Sequence, residues 1–156
     1  MKRISLVLLA LATALFFWSG CAAKSTFKEA DLSKVMAAMK QKITNTQMMD
    51  LSSGDLTPTY GIADKDVRQF AAYVDSTGTK GDEILLFEGT GREAADRVEK
   101  RLDDRYHQKE VEMKDYLPKE YAVLQKCKVE RDGNFVALIV SPQYKTLEQI
   151  YQKALK

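Results

Sequence analysis

The chain reads as an α+β domain: an antiparallel sheet of about four strands from two strand–strand–helix units, helices on one face, and an additional N-terminal helix. Three observations predict this. Strand-like runs near residues 67–89 and 121–141 each lead into a helical pattern of apolar residues. Turn chemistry divides each unit, at "STGTKG" in the first and at Asp132-Gly133 in the second. Sliding the chain by 52 residues also lays "DEILLFEGTGREAADRVEKRL" over "NFVALIVSPQYKTLEQIYQKA" without a gap. Identity in that overlay is poor, and a shared binary pattern explains much of it as readily as duplication does.

The elements follow in order. "TFKEADLSKVMAAMKQKI" predicts the first helix, with Thr26 and Glu29 at capping-box spacing and Leu32, Val35, Met36, Met39 and Ile43 on its inner face. Residues 44–66 read as mostly irregular, "SSGDLTP" being turn chemistry and Tyr60 and Ile62 loop anchors. Val67–Asp75 alternates, with Phe70, Ala72 and Val74 on one side, whereas "DEILLFEG" is apolar on both sides. Thr90 with Glu93 caps the next helix, whose inner face is Ala94, Ala95, Val98 and Leu102, with exposed pairs Glu93–Arg97 and Asp96–Lys100. "YAVLQKCKVE" and "NFVALIVS" form a hairpin, and Ser141-Pro142 opens the last helix as N-cap and first turn.

The N-terminus carries a different message. Met1-Lys2-Arg3 precedes an apolar run from Ile4 to Trp18, which describes a secretory signal and falls short of the roughly 20 residues a spanning helix needs. Ser19-Gly20-Cys21 has the small-small-cysteine step of a lipobox, so Cys21 is the expected lipidation site and first mature residue. Trp18 stands where lipoboxes usually have an aliphatic residue, and cleavage after Ala23 or an uncleaved anchor are the rival readings. The expected organisation is residues 1–20 as signal, 21–28 as lipidated cysteine and spacer, and 29–156 as one α+β domain.

Removing residues 1–20 takes away two of the 24 basic side chains and none of the 22 acidic ones, so the mature chain has no net formal charge. Dispersed and balanced charge gives no footprint for nucleic acid and no polybasic patch for lipid headgroups. With Cys21 acylated, Cys127 is alone and reads as a small buried apolar side chain.

At "YLPKEYAVLQKCKVERDGNFVALIVSP", "YGIADKDV" and "DEILLFE" the chain resembles a family of short lipoproteins of Gram-positive bacteria catalogued as domain of unknown function 4358. The resemblance rests on Tyr60-Gly61, Asp82-Glu83, Tyr116-Leu117-Pro118 and Gly133-Asn134-Phe135 in that order. It implies a small extracytoplasmic domain attached to the cell membrane, and supplies no activity, cofactor or catalytic residue.

Catalytic patterns are weak. His107, the single histidine, lies one helical turn beyond Asp103, and the pair is the only basis for a small envelope hydrolase. Asp82 and Glu83, adjacent on a strand, point to opposite faces and cannot flank one bond. "EGTGRE" lacks the Lys-Ser/Thr of a phosphate loop, and no Gly-x-Ser-x-Gly elbow or metal-ligand spacing occurs. A single domain also offers no interdomain cleft of the kind transport-binding components close around a solute. The expectation is a non-catalytic, cofactor-free domain tethered to membrane lipid through Cys21. It would bind an envelope protein or a small ligand through a surface including Tyr60, Tyr116, Pro118 and Tyr121.

Overall fold

The computed structural model describes residues 29–156, so the signal segment, Cys21 and the Thr26 cap lie outside the described residues. Among these there are five helices, α1 Leu32–Lys40, α2 Ser53–Tyr60, α3 Arg92–Tyr116, α4 Pro118–Leu124 and α5 Tyr144–Ala154. One antiparallel sheet contains β1 Met48–Asp50, β2 Val67–Asp75, β3 Glu83–Gly89, β4 Val129–Asp132 and β5 Phe135–Val140, in the order β1-β2-β3-β5-β4. The α+β class and the antiparallel sheet are as the sequence predicts.

The centre of the sheet is the β3–β5 pair, in register at Leu85 with Leu138 and Leu86 with Ala137. Nearly every residue of both strands is buried. Side chains alternate between faces, so two cores form. Leu85, Phe87, Val136, Leu138 and Val140 pack with Ala95, Val98 and Leu102 of α3, Leu56 of α2 and Leu124 of α4. Ile84, Leu86, Phe135, Ala137 and Ile139 pack on the other side with Leu32, Val35, Met36 and Met39 of α1 and Leu147 and Tyr151 of α5. Helices therefore cover both faces, correcting the expectation of one. A strand apolar on both sides cannot leave either side in water.

Other differences have local causes. The sheet has five strands because Met48–Asp50, from the stretch read as irregular, pairs with the outer end of β2 at Tyr73–Asp75. "SSGDLTP" is α2, started by a capping box in which the Asp55 carboxylate accepts the Ser52 N–H at 2.8 Å, and ended by Gly61 at φ 66°. Tyr121–Leu124 lies in α4, because Pro118 at its first turn presets the helical φ. Only Val129–Asp132 of that alternating stretch is strand.

The caps also shift. Asp31 caps α1, accepting from the Ser33 and Lys34 N–H groups at 3.1 and 3.2 Å. Gly91 is the N-cap of α3, while the Thr90 hydroxyl donates to the Lys65 carbonyl. Gln143 caps α5, after a turn in which its N–H donates to Ser141 Oγ at 3.2 Å.

The two strand–strand–helix units recur in order, but the helices that follow them, α3 and α5, lie on opposite faces of the sheet.

Gly89 sets how closely α3 approaches β3, since a Cβ there would sit 2.6 Å from the Ala95 backbone nitrogen. Gly89→Ala is expected to lower stability by about 1–3 kcal/mol, the usual range for overpacking against rigid backbone. Gly91→Ser, in open space at an N-cap, should leave it unchanged or slightly raised. Urea unfolding of both variants checks this, and an unaltered Gly89→Ala midpoint contradicts it.

Candidate functional site

Polar groups in the interior are concentrated at one end of the sheet. The buried polar residues are Asn45, Asp66, Asp82, Glu83, Lys109 and Ser141. All but Asp66 gather where β3 begins and β5 ends. Glu83 pairs in register with Val140, bringing Asp82 at the start of β3 and Ser141 just past β5 to the same edge. Asn45, leading toward β1, donates to Asp75 Oδ1 at 3.1 Å and to Asp82 Oδ2 at 3.4 Å. Asp66 belongs elsewhere, held by the Arg97 guanidinium at 2.7 and 3.0 Å.

Glu83 is the best-satisfied of these groups. Its carboxylate accepts from the Tyr60 hydroxyl at 2.7 Å and from Arg105 Nε at 3.1 and 3.2 Å, and the Lys109 ammonium lies 3.0 Å away. One side chain thereby ties α2, β3 and α3 together. Burial by itself would push the Glu83 carboxyl up, but Lys109, then Arg105 and Tyr60, outweigh it and hold it below the ordinary glutamate value. The Tyr60 hydroxyl moves the other way, raised by burial and by the Glu83 charge.

Its neighbour Asp82 is treated differently. Its carboxyl is raised, chiefly by burial, against weaker support from Ser141 and Asn45. The Ser141 hydroxyl is close to Gln143 Oε1 at 3.1 Å. Asp82 Oδ1 is closed from solvent and accepts no hydrogen bond, a state shared among the described residues only by the Tyr151 hydroxyl. An ionised oxygen so placed is costly.

Two cavities meet at Asp82. One, about 260 Å³, is lined by Asn45, Asp82 and Ser141 on the sheet side and by Lys119, Glu120 and Val123 of α4. The second, about 360 Å³, lies between α2, α3 and the β2–β3 loop, with Glu83, Arg105 and Lys109 at its charged side and Leu51, Val74, Met113 and Leu117 as apolar wall. Gly81 separates them, pressed against Met113 so closely that a Cβ would fall 2.8 Å from its methyl carbon.

The residues singled out from sequence divide accordingly. Tyr60 lies in the core, its hydroxyl engaged by Glu83, and does not form an exposed surface. Tyr116 is 85 % exposed at the α3–α4 corner, Pro118 beside it is exposed, and Tyr121 is half-buried against the α3-side core. The corner borders both cavities, Leu117 lining one and Lys119 the other. Asp103 and His107 lie on the outward face of α3, where His107 Nδ1 meets Glu110 Oε2 at 2.9 Å. Cys127 is buried, its thiol pushed up to about 11 by burial and bonded to the Val123 carbonyl. Cys21 lies outside the described residues.

Arg105 and Lys109 were not singled out from sequence, yet a signal existed. The inner stripe of α3 runs Ala95, Val98, Leu102 and on to Met113, and helical spacing places Arg105 and Lys109 within it. A lysine there needs a buried partner.

A family model described as "Domain of unknown function (DUF4358)" matches residues 41–141. No curated protein and no solved structure matches the chain.

Removing Glu83 strands Lys109 in the interior, so Glu83→Ala is expected to cost about 3–5 kcal/mol. The pH dependence has a definite sign. With its folded-state pKa lowered, Glu83 contributes stability that is complete above the ordinary glutamate value, about 4.3, and fades as the pH falls through the folded value. Asp82 is opposite: its contribution is complete below the ordinary aspartate value, about 3.9, and fades as the pH rises through its raised folded value. Asp82→Asn should therefore be more stable than wild type at pH 7, about the neutral value of cellular buffers. Urea midpoints across the acid-to-neutral range test both, and an Asp82→Asn variant of lower stability at neutral pH refutes the second.

Proposed function

The chain belongs to the family described as domain of unknown function 4358, and on that premise we propose that it is a non-catalytic binding domain held by a lipid on the outer face of the cytoplasmic membrane. The polar end of the sheet and the Tyr116–Pro118 corner above it form the binding surface. There the chain contacts another envelope protein.

The observation that carries this reading is the exposed Tyr116 at the α3–α4 corner, next in the chain to Leu117, which lines one of the Asp82 cavities. A tyrosine combines apolar area with a polar tip, which suits a protein contact. The interior beneath it is built for holding shape. Glu83 is kept ionised and its oxygens are engaged by three partners, so it has no proton to give and little freedom to take one. His107, the one histidine a hydrolase reading would use, contacts Glu110 on a solvated face of α3.

The tether in this reading is Cys21. No helix among the described residues is long and apolar enough to cross a membrane. Each buried acyl methylene contributes about 0.8 kcal/mol, so two or three chains hold a domain firmly. Confinement then raises the effective concentration of any neighbour in the same bilayer.

Two measurements test the proposal. In detergent phase partitioning, wild type should enter the detergent phase and Cys21→Ser the aqueous phase; a Cys21→Ser protein that stays with detergent refutes the lipid tether. A photo-crosslinking residue at position 116, compared with one at the exposed Lys145 on α5, should give a discrete envelope-protein adduct in intact cells only from 116 and only with Cys21 intact. Equal patterns from both positions refute the binding surface.

A further inference from the structure

Charge that the sequence disperses is gathered by the fold at the end of the sheet away from Asp82, and we infer that the cavity there takes a phosphate monoester. Val67, which follows Asp66, pairs with Gly89 at the far end of β3. The cavity lies between the stretch after α2 and the first half of α3 and measures about 300 Å³, at the small end of the ~300–1,000 Å³ that ligand sites occupy. Lys65, Arg97, Lys100 and Arg101 line it against one carboxylate, Asp66. Its apolar part includes Ile62 and Val98, both buried. A cleft lined by one sign of charge over apolar walls concentrates the field that a counter-ion feels.

Two guanidiniums are already positioned. Arg97 donates through Nε and Nη2 to Asp66 at 3.0 and 2.7 Å, and its Nη1 has no partner among the described residues. Asp66 is 7 % exposed, so the anchor of this fork lies inside the protein. Arg101, one helical turn further along α3, packs on the bare backbone of Gly61, where a Cβ would stand 3.4 Å from its Cζ and Nε. Its ion pair with Asp104 spans 3.8 Å, beyond hydrogen-bond reach. The exposed Lys65 ammonium pairs with no carboxylate among the described residues.

Neighbouring carboxylates do not cancel this charge. Asp104, half exposed and outside the lining, meets Lys100 at 3.3 Å. Asp96 is held by Arg131, and Asp64 and Glu93 are exposed and stand outside the lining. Even with Asp104 counted, four cations face two carboxylates. A phosphate monoester, close to two negative charges at neutral pH, matches that surplus. It also offers three acceptor oxygens where a carboxylate offers two, enough for two guanidinium forks and an ammonium together. Two sources present this group, the headgroup of a phosphatidic acid and a soluble phosphate ester.

The test uses the full chain in micelles of an uncharged detergent, titrated with sn-glycerol 3-phosphate while backbone amide NMR shifts of residues 61–66 and 97–101 are followed. Saturable shifts are expected. Acetate and the diester glycerophosphoglycerol, each with a single charge, should bind at least about tenfold more weakly. Arg101→Gln and Lys65→Gln, both at exposed positions and expected to keep the wild-type urea midpoint, should each weaken binding about fivefold or more. Lys145→Gln on α5 should leave it unchanged. Dihexanoyl phosphatidic acid separates the sources: binding tighter than that of glycerol 3-phosphate, and weakened by Arg101→Gln, assigns the site to a lipid headgroup, whereas equal or weaker binding assigns it to a soluble ester. Shifts no larger than those from sodium chloride at equal ionic strength overturn the inference. Binding that survives both substitutions, or a diester that binds as well as the monoester, overturns it too.

Discussion

The β3–β5 pair is apolar on both faces, and the rest of the domain answers to that constraint. Neither face can be left to water, so α1 and α5 cover one and α2, α3 and α4 the other. A sheet closed on both sides has room for polar side chains only where its strands start or stop. The buried polar residues accordingly collect at the start of β3 and the end of β5, where backbone turns and helix ends supply partners. The candidate site is thus a consequence of how the core is sealed.

Within that end, two consecutive carboxylates meet opposite fates. Glu83 faces α2 and α3, and three side chains complete its shell, so burying it ties three elements together. Asp82 sits one residue earlier, before the ladder begins, and has chiefly Ser141 and a long bond from Asn45 to set against its burial. Alternation along the strand separates them physically, as the sequence predicts, but it says nothing of which would be satisfied. The first rigidifies, and the second leaves an acceptor at the wall of two cavities.

The surface charges show the same dependence on tertiary context. Glu93–Arg97 and Asp96–Lys100 have good helical spacing, yet Arg97 turns to Asp66 and Asp96 is taken by Arg131, which also holds Glu99. A guanidinium offered a carboxylate across elements in bidentate geometry gains more than from a flexible neighbour on its own helix. These pairs fasten α3 to the turn before β2 and to β4, keeping the long helix along its face of the sheet.

By itself the sequence determined the elements with strong periodicity or firm turn chemistry. Ile43, expected on α1, falls past its end at Lys40, but the α1 stripe from Leu32 to Met39, β2, β3, the Asp132-Gly133 hairpin and the inner face of α3 stand where their spacing puts them, because burial of alternating or helically spaced apolar residues is a local property of the chain. It also contained the apolarity of "DEILLFEG" on both sides, the one signal that helices must lie on both faces. The tertiary structure alone decided the rest. The three-residue β1 exists because β2 offers an edge, and α4 replaced an alternating stretch once Pro118 set its first turn. Tyr60 met Glu83 across 23 residues, while Lys109 found its counter-charge across α3 and β3. Exposure likewise separated Tyr116 from Tyr60, two tyrosines that sequence could not rank. Such pairings depend on distances between elements, which periodicity along one element does not encode.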